Sequence, residues 1–155
     1  MRYAAHTRVS EDRSRIQIER MVLKYGAEEF GTLIKKNEAL VGFKYKNIRV
    51  EMAVPLPDKN DKRFSMTPAG RNRRSQTQAF AEWDKEVRRR WRSLCLVIKA
   101  LLVGVDDGVL TFEQAFMPYI VIGGQTIGQV FLPQIVKAIE SGKEMRNIKQ
   151  LMMLP

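Results

Sequence analysis

The sequence predicts an α+β fold: an N-terminal helix, a small antiparallel three-stranded sheet, a long amphipathic helix, and a C-terminal helical section with a short hairpin. Three observations carry this reading. Apolar residues from Phe80 to Leu101 recur at steps of three or four behind a capping pattern at Ser75 and Gln78. Short apolar segments between Phe30 and Val54 are separated by turn-type pairs. Gly and Pro then divide the C-terminal third into short pieces. A chain of 155 residues suits one domain, placed at 1–142 with a flexible basic loop at 58–75 and a tail at 143–155.

The first helix is expected over residues 11 to 25. Ser10 is a good N-cap, and Glu11 and Asp12 suit the positive end of a helix dipole. Ile18, Met21, Val22 and Tyr25 fall on one face, and Gly26 offers a cheap left-handed stop. The polar side carries Arg13, Arg20 and Lys24. Three strands follow, at Phe30–Lys35, Ala39–Tyr45 and Ile48–Val54, with Asn37-Glu38 and Lys46-Asn47 as the breaks. Ile48, Val50, Met52 and Val54 alternate with Arg49, Glu51 and Ala53, as in a strand with one wet face. Pro55 and Pro57 end it, since proline cannot donate to the ladder.

Residues 58 to 75 show no hydrophobic period and read as a loop. The long helix should run from about 76 to 103, burying Phe80, Trp83, Val87, Trp91, Leu94, Ile98 and Leu101. Asp106-Asp107-Gly108 is a turn. Thr111 and Gln114 form a second capping pattern that opens a short helix ending before Pro118. Ile120–Ile122 and Gln125–Ile127 flank Gly123-Gly124 as a hairpin. A last helix over 129–141 should bury Phe131, Ile135, Val136 and Ile139, with Pro133 in its first turn. The helical section is expected to pack on the distal half of the long helix.

Composition narrows the function classes. No window reaches the roughly 18 apolar residues needed to span a bilayer, and Met1–Ser10 has no apolar core of the signal-peptide type. A single cysteine, Cys95, leaves no internal disulfide, so a reducing compartment, the cytoplasm, is expected. It sits among Leu94, Leu96 and Val97 and reads as an inert buried thiol. One histidine, His6, leaves little for a His-dependent triad or a His-rich metal site. No catalytic residue, metal or cofactor is assigned. The remaining catalytic option is a set of paired carboxylates, Asp106-Asp107 with Glu113, or Glu28-Glu29, whose convergence the sequence does not show.

Charge is the main functional signal. The chain carries 27 Lys+Arg against 17 Asp+Glu, a net charge of +10. Residues 58–92 hold 11 basic and 5 acidic residues, net +6, whereas 93–155 hold 5 of each. On the long helix, Lys85, Arg88, Arg89 and Arg92 follow i, i+3, i+4, i+7 spacing opposite the apolar stripe, and Lys99 continues the row. Arg71, Arg73 and Arg74 lie in the loop just upstream. A cationic rod beside a cationic arm suits a phosphate backbone. The competing reading is a solvated face whose cations pair with Glu82 and Glu86.

Aromatic residues add little to that signal. Trp83 and Trp91 lie on the apolar stripe, so core packing outweighs base stacking, and Phe30, Phe43 and Tyr45 read as core too. The order helix, three strands, helix is that of double-stranded RNA-binding domains. The Gly-Pro-x-His loop and Lys-Lys-x-Ala-Lys helix start of those domains are absent.

The segments Glu11–Gly26, Ile48–Asp58, Thr67–Ser75, Arg90–Ala100 and Thr111–Phe116 together resemble a functionally uncharacterised family of small basic proteins carried by phages and prophages. The resemblance extends to about Gly142. It implies a viral or mobile-element setting in a bacterial cell and supplies no catalytic residues. The expected function is a non-catalytic nucleic-acid-binding accessory protein, with DNA or RNA left open. The alternative is a phage-encoded protein-interaction module that inhibits or recruits a host protein through the apolar Leu94–Val103 segment and the Leu151–Leu154 tail.

Overall fold

The computed structural model describes the backbone of residues 2–142 and the side chains of residues 13–142. The expected tail, and with it Leu151–Leu154, lies outside the described residues. The fold is α+β. Helix α1 (Arg2–Tyr25) leads into strands β1 (Glu29–Lys35), β2 (Glu38–Tyr45) and β3 (Ile48–Pro55). These form one antiparallel sheet in the order β1-β2-β3. A short helix α2 (Lys62–Ser65) precedes the long α3 (Gln76–Asp106) and then α4 (Phe112–Phe116). A 3₁₀ turn, Met117–Tyr119, joins α4 to the hairpin β4 (Val121–Ile122) and β5 (Gln125–Thr126), and α5 (Ile127–Glu140) follows.

The sheet follows its alternation. Ala39, Val41 and Phe43 of β2 and Val50, Met52 and Val54 of β3 face inward and are buried. Lys46 and Asn47 both take positive φ, 44° and 65°, the geometry of a tight turn between right-twisted strands. The other turn is Lys36-Asn37 rather than Asn37-Glu38, because Glu38 pairs with Lys35 across the ladder. α1 and α3 cover the inner face with Ile18, Val22, Val87, Trp91, Cys95 and Ile98. Phe112 and Phe116 of α4 close the core beside Phe43, their rings 6.4 and 5.5 Å from it. Ile120 bridges Val50, so the C-terminal hairpin continues from the edge of β3.

Several expectations are corrected. α1 begins at Arg2, not residue 11, and Ser10 lies inside it. No Gly or Pro interrupts residues 2–9, so a residue suited to an N-cap did not start the helix. α3 has the expected capping box, with the Ser75 hydroxyl accepting from the Gln78 amide at 3.2 Å. It passes Gly104 and ends at Asp106, because the left-handed residue is Gly108, φ 69°. Its buried stripe includes Asp84, Cys95 and Leu102, while Phe80, Trp83 and Leu101 are half-buried.

The largest differences are C-terminal. α5 starts at Ile127 under a third capping box, Thr126 with Gln129, so Pro133 falls inside the helix rather than in its first turn. None of its residues is fully buried. Val136 is 44 % and Ile139 71 % exposed, against the expectation of burial. α4 does pack on α3, but α5 rests on the 3₁₀ turn and β5. Gly128 makes that seat possible: a Cβ there would stand 2.8 Å from the Pro118 carbonyl oxygen.

Candidate nucleic-acid interface

Residues 58 to 75 were expected to lack regular structure, yet they fold back onto α3. Asp61 caps α2, its carboxylate accepting from the Arg63 amide at 3.0 Å. Phe64 of α2 is buried, and α2 packs on α3. Met66 and Arg73 form a bridge, and the Arg74 amide donates to the Ser65 carbonyl at 2.8 Å. On the other flank, the Trp83 indole N–H donates to the Pro57 carbonyl at 2.9 Å, and Arg90 Nη1 to the Pro55 carbonyl at 2.7 Å. These bonds hold the chain on either side of α2 against the helix.

Between this segment and α3 lies an open cleft of about 530 Å³. Arg63, Arg74, Lys85 and Arg89 line it with Glu82 and Glu86. Arg63 was not singled out by the sequence reading; it enters because α2 folds over the helix. The cleft is only partly cationic. Arg89 forms a two-point bond to Glu86, both contacts 2.8 Å, and Arg90 adds a third at 3.2 Å. The hydrogen bond from Arg89, supported by Arg90, holds the Glu86 carboxyl down at about 2 and pushes the Arg89 guanidinium above its ordinary range.

The other predicted residues separate in role. Arg74 is half-buried, and its Nη1 donates to the carbonyls of Arg63 and Phe64 at 3.2 and 3.3 Å, so it fastens the end of α2. Arg88 pairs with the buried Asp84 at 3.0 Å. It sits at the edge of the buried stripe, so the cationic row is not wholly opposite it. Arg92 Nη1 donates to Gln17 Oε1 on α1 at 3.2 Å. Arg71, Arg73 and Lys85 are exposed and have no ion-pair partner among the described residues. The reading of locally paired cations therefore holds for Arg88 and Arg89, with Asp84 in place of Glu82 for Arg88. Lys85, Arg89 and Arg92 still form one exposed ridge on successive turns, running from the cleft to α1.

Of the carboxylates considered for catalysis, Asp106 and Glu113 both lie near Tyr25, whose pKa is raised by burial, by Tyr45 and by these two charges. Glu28 and Glu29 both reach Lys44, at 3.5 and 3.7 Å. Among the described residues no group of three or more His, Cys, Asp or Glu side chains could hold a metal ion. Cys95 is buried, and that burial raises its thiol pKa despite nearby Arg92 and Lys99. Trp91 is 2 % exposed and belongs to the core, as do Phe43 and, at its margin, Trp83. Among the described residues no helix is long and apolar enough to cross a membrane. No family model, curated protein or solved structure matches the chain.

Proposed function

We propose that this chain is a non-catalytic nucleic-acid-binding accessory protein of a phage or prophage, working in the cytoplasm of a bacterial host. The phage setting rests on the sequence resemblance alone. The observation that carries the binding reading is the exposed ridge Lys85–Arg89–Arg92 on a rigid 31-residue helix, with the exposed Arg71 and Arg73 beside it. Cations fixed on a helix meet phosphates without losing further backbone entropy, and releasing counterions drives the association. The reading rests on cations set for phosphates, which carry no sequence information, so little sequence preference is expected.

The test is anisotropy of labelled single-stranded and duplex oligonucleotides over a salt series. If about five phosphates are neutralised, affinity should fall roughly 10²- to 10³-fold between 50 and 200 mM salt. Affinity that is flat across that range, or absent at 50 mM, overturns the reading.

One observation favours a second reading, a protein-interaction module. Leu132, Val136 and Ile139 recur at i, i+4, i+7 on α5 and form an exposed apolar ridge, Leu132 at 60 %. The interface first expected is only half available. Leu94, Ile98 and Leu102 are buried, and Leu96, Val97 and Val103 remain exposed.

A further inference from the structure

Three strands separate α1 from α3, so the two helices run in the same direction across the sheet. Tyr25, at the end of α1, stacks 6.0 Å from Phe112 just beyond the end of α3. Earlier along both helices, Gln17 accepts from Arg92 at 3.2 Å. With their inner faces sharing one core, their outer ridges lie side by side.

On α1 that ridge is Arg13, Gln17, Arg20 and Lys24, spaced i, i+4, i+7, i+11. On α3 it is Arg88, Arg92 and Lys99. All six cations are exposed, and the Gln17–Arg92 bond sets one ridge against the other. Among the described residues only Arg88 has a carboxylate partner, Asp84. Glu19 lies about a third of a turn away from the α1 ridge. The contrast with the α2 cleft is clear, because there Glu82 and Glu86 offset half of four cations. The α1 ridge also borders a groove of about 510 Å³ with Ile16 and Met21 among its lining residues. Its lining comes from α1 alone, the four ridge residues with Ile16 and Met21, so it lies along the α1 side of the seam.

We infer that the seam between α1 and α3 is the main phosphate track, with Arg13, Arg20 and Lys24 on one side and Arg92 and Lys99 on the other. This deepens the nucleic-acid reading and rests on it, while moving its principal contacts away from the α2 cleft. From Arg13 to Lys24 the ridge covers about 16 Å at 1.5 Å per residue. That is the axial rise of about five nucleotides in one strand of a duplex.

The experiment compares Arg13→Gln/Arg20→Gln/Lys24→Gln with Arg71→Gln/Arg73→Gln in the intact chain. The probes are a labelled 20-mer, single-stranded and duplex, titrated between 50 and 200 mM salt, and phosphatidylglycerol vesicles. The α1 triple should reduce the slope of log affinity against log salt by about 2 to 3 units and weaken binding at least tenfold at 50 mM. The loop double should change the slope by less. If the triple matches wild type while the loop double loses slope, the seam is overturned and the nucleic-acid reading stands. If wild type binds neither oligonucleotide, both fall. Vesicle binding lost in the triple with oligonucleotide binding unchanged also overturns the seam and makes it a lipid surface. Should the triple melt early, Arg92→Gln/Lys99→Gln approaches the seam from α3. It should lose about 1 to 2 units of slope, and an unchanged slope there overturns the proposal.

Discussion

Arg88 Nε lies 3.0 Å from Asp84 Oδ2, so an exposed guanidinium is anchored on the carboxylate of a residue only 8 % exposed. The other oxygen, Asp84 Oδ1, is buried without a hydrogen-bond partner. Burial raises the Asp84 carboxyl pKa, and Arg88 only partly counters it. The folded chain therefore binds this proton more tightly than the unfolded chain. From this carboxyl alone, stability is greatest at acid pH and falls as pH rises from the ordinary value of 3.8 through the raised one. Asp84→Asn should remove that fall and add about 1 kcal/mol at pH 7, since no charge is then buried. Urea titrations of both proteins between pH 3 and 7 measure it. Parallel pH profiles would mean that the carboxyl is solvated after all.

Glu86 carries the opposite sign. Its carboxyl is held at about 2 against an ordinary 4.5, mainly by the hydrogen bond from Arg89, so its contribution is present above 4.5 and lost as pH falls toward 2. Its partner Arg89 is largely exposed, so solvent screening limits the loss in Glu86→Gln to about 1 kcal/mol. The same substitution releases the exposed Arg89 for phosphate, while Arg90 stays on the Pro55 carbonyl. Oligonucleotide affinity should rise and the salt slope should steepen by about 1 unit, even as the protein becomes less stable. A variant that loses stability and affinity together would show that Glu86 positions the arginines for binding rather than occupying them.

Trp91→Ala should cost about 3–5 kcal/mol, because the indole is among the largest fully buried side chains in the core. Binding by the fraction that stays folded should match wild type. An unchanged melting temperature with lost binding would mark the indole as a stacking surface.

These relationships differ in how visible they are in sequence. The Ser75–Gln78 and Thr111–Gln114 caps were legible because their parts lie three residues apart. Strand three was legible because alternation of period two reports its wet face directly. Asp84 was not: it follows Phe80 by four residues and precedes Val87 by three, so its position is on the stripe, but its charge reads as solvent-facing. The Gln17–Arg92 bond joins residues 75 apart, and no local pattern encodes which helix faces dock. The α2 segment hid for a related reason, since its buried side chain, Phe64, has no periodic neighbours. For α5 the apolar period reports a helix, but a period does not say whether a second surface exists to cover it. The Leu132–Val136–Ile139 ridge is left open.

That open ridge gives the last prediction, which separates the two functional readings. Leu132→Ser/Val136→Ser/Ile139→Ser alters side chains that bury little within the chain, so folding should survive with a loss of about 1 kcal/mol, mostly from helix propensity. If the protein acts on nucleic acid, this variant binds oligonucleotides like wild type. On the same hypothesis Arg88→Gln/Arg89→Gln/Arg92→Gln loses about 1 unit of salt slope. The full 3 units are not expected, because Arg88 and Arg89 already answer Asp84 and Glu86. If the protein is an interaction module, the outcomes reverse. The arginine triple is then silent, and the serine triple abolishes capture of a bacterial protein partner in a pull-down. Truncation after Gly142 adds an independent arm. It removes three cations and one anion from outside the basic region, and should barely alter oligonucleotide binding. An arginine triple with full affinity, beside a serine triple or truncation that loses a defined partner, would replace the first reading with the second.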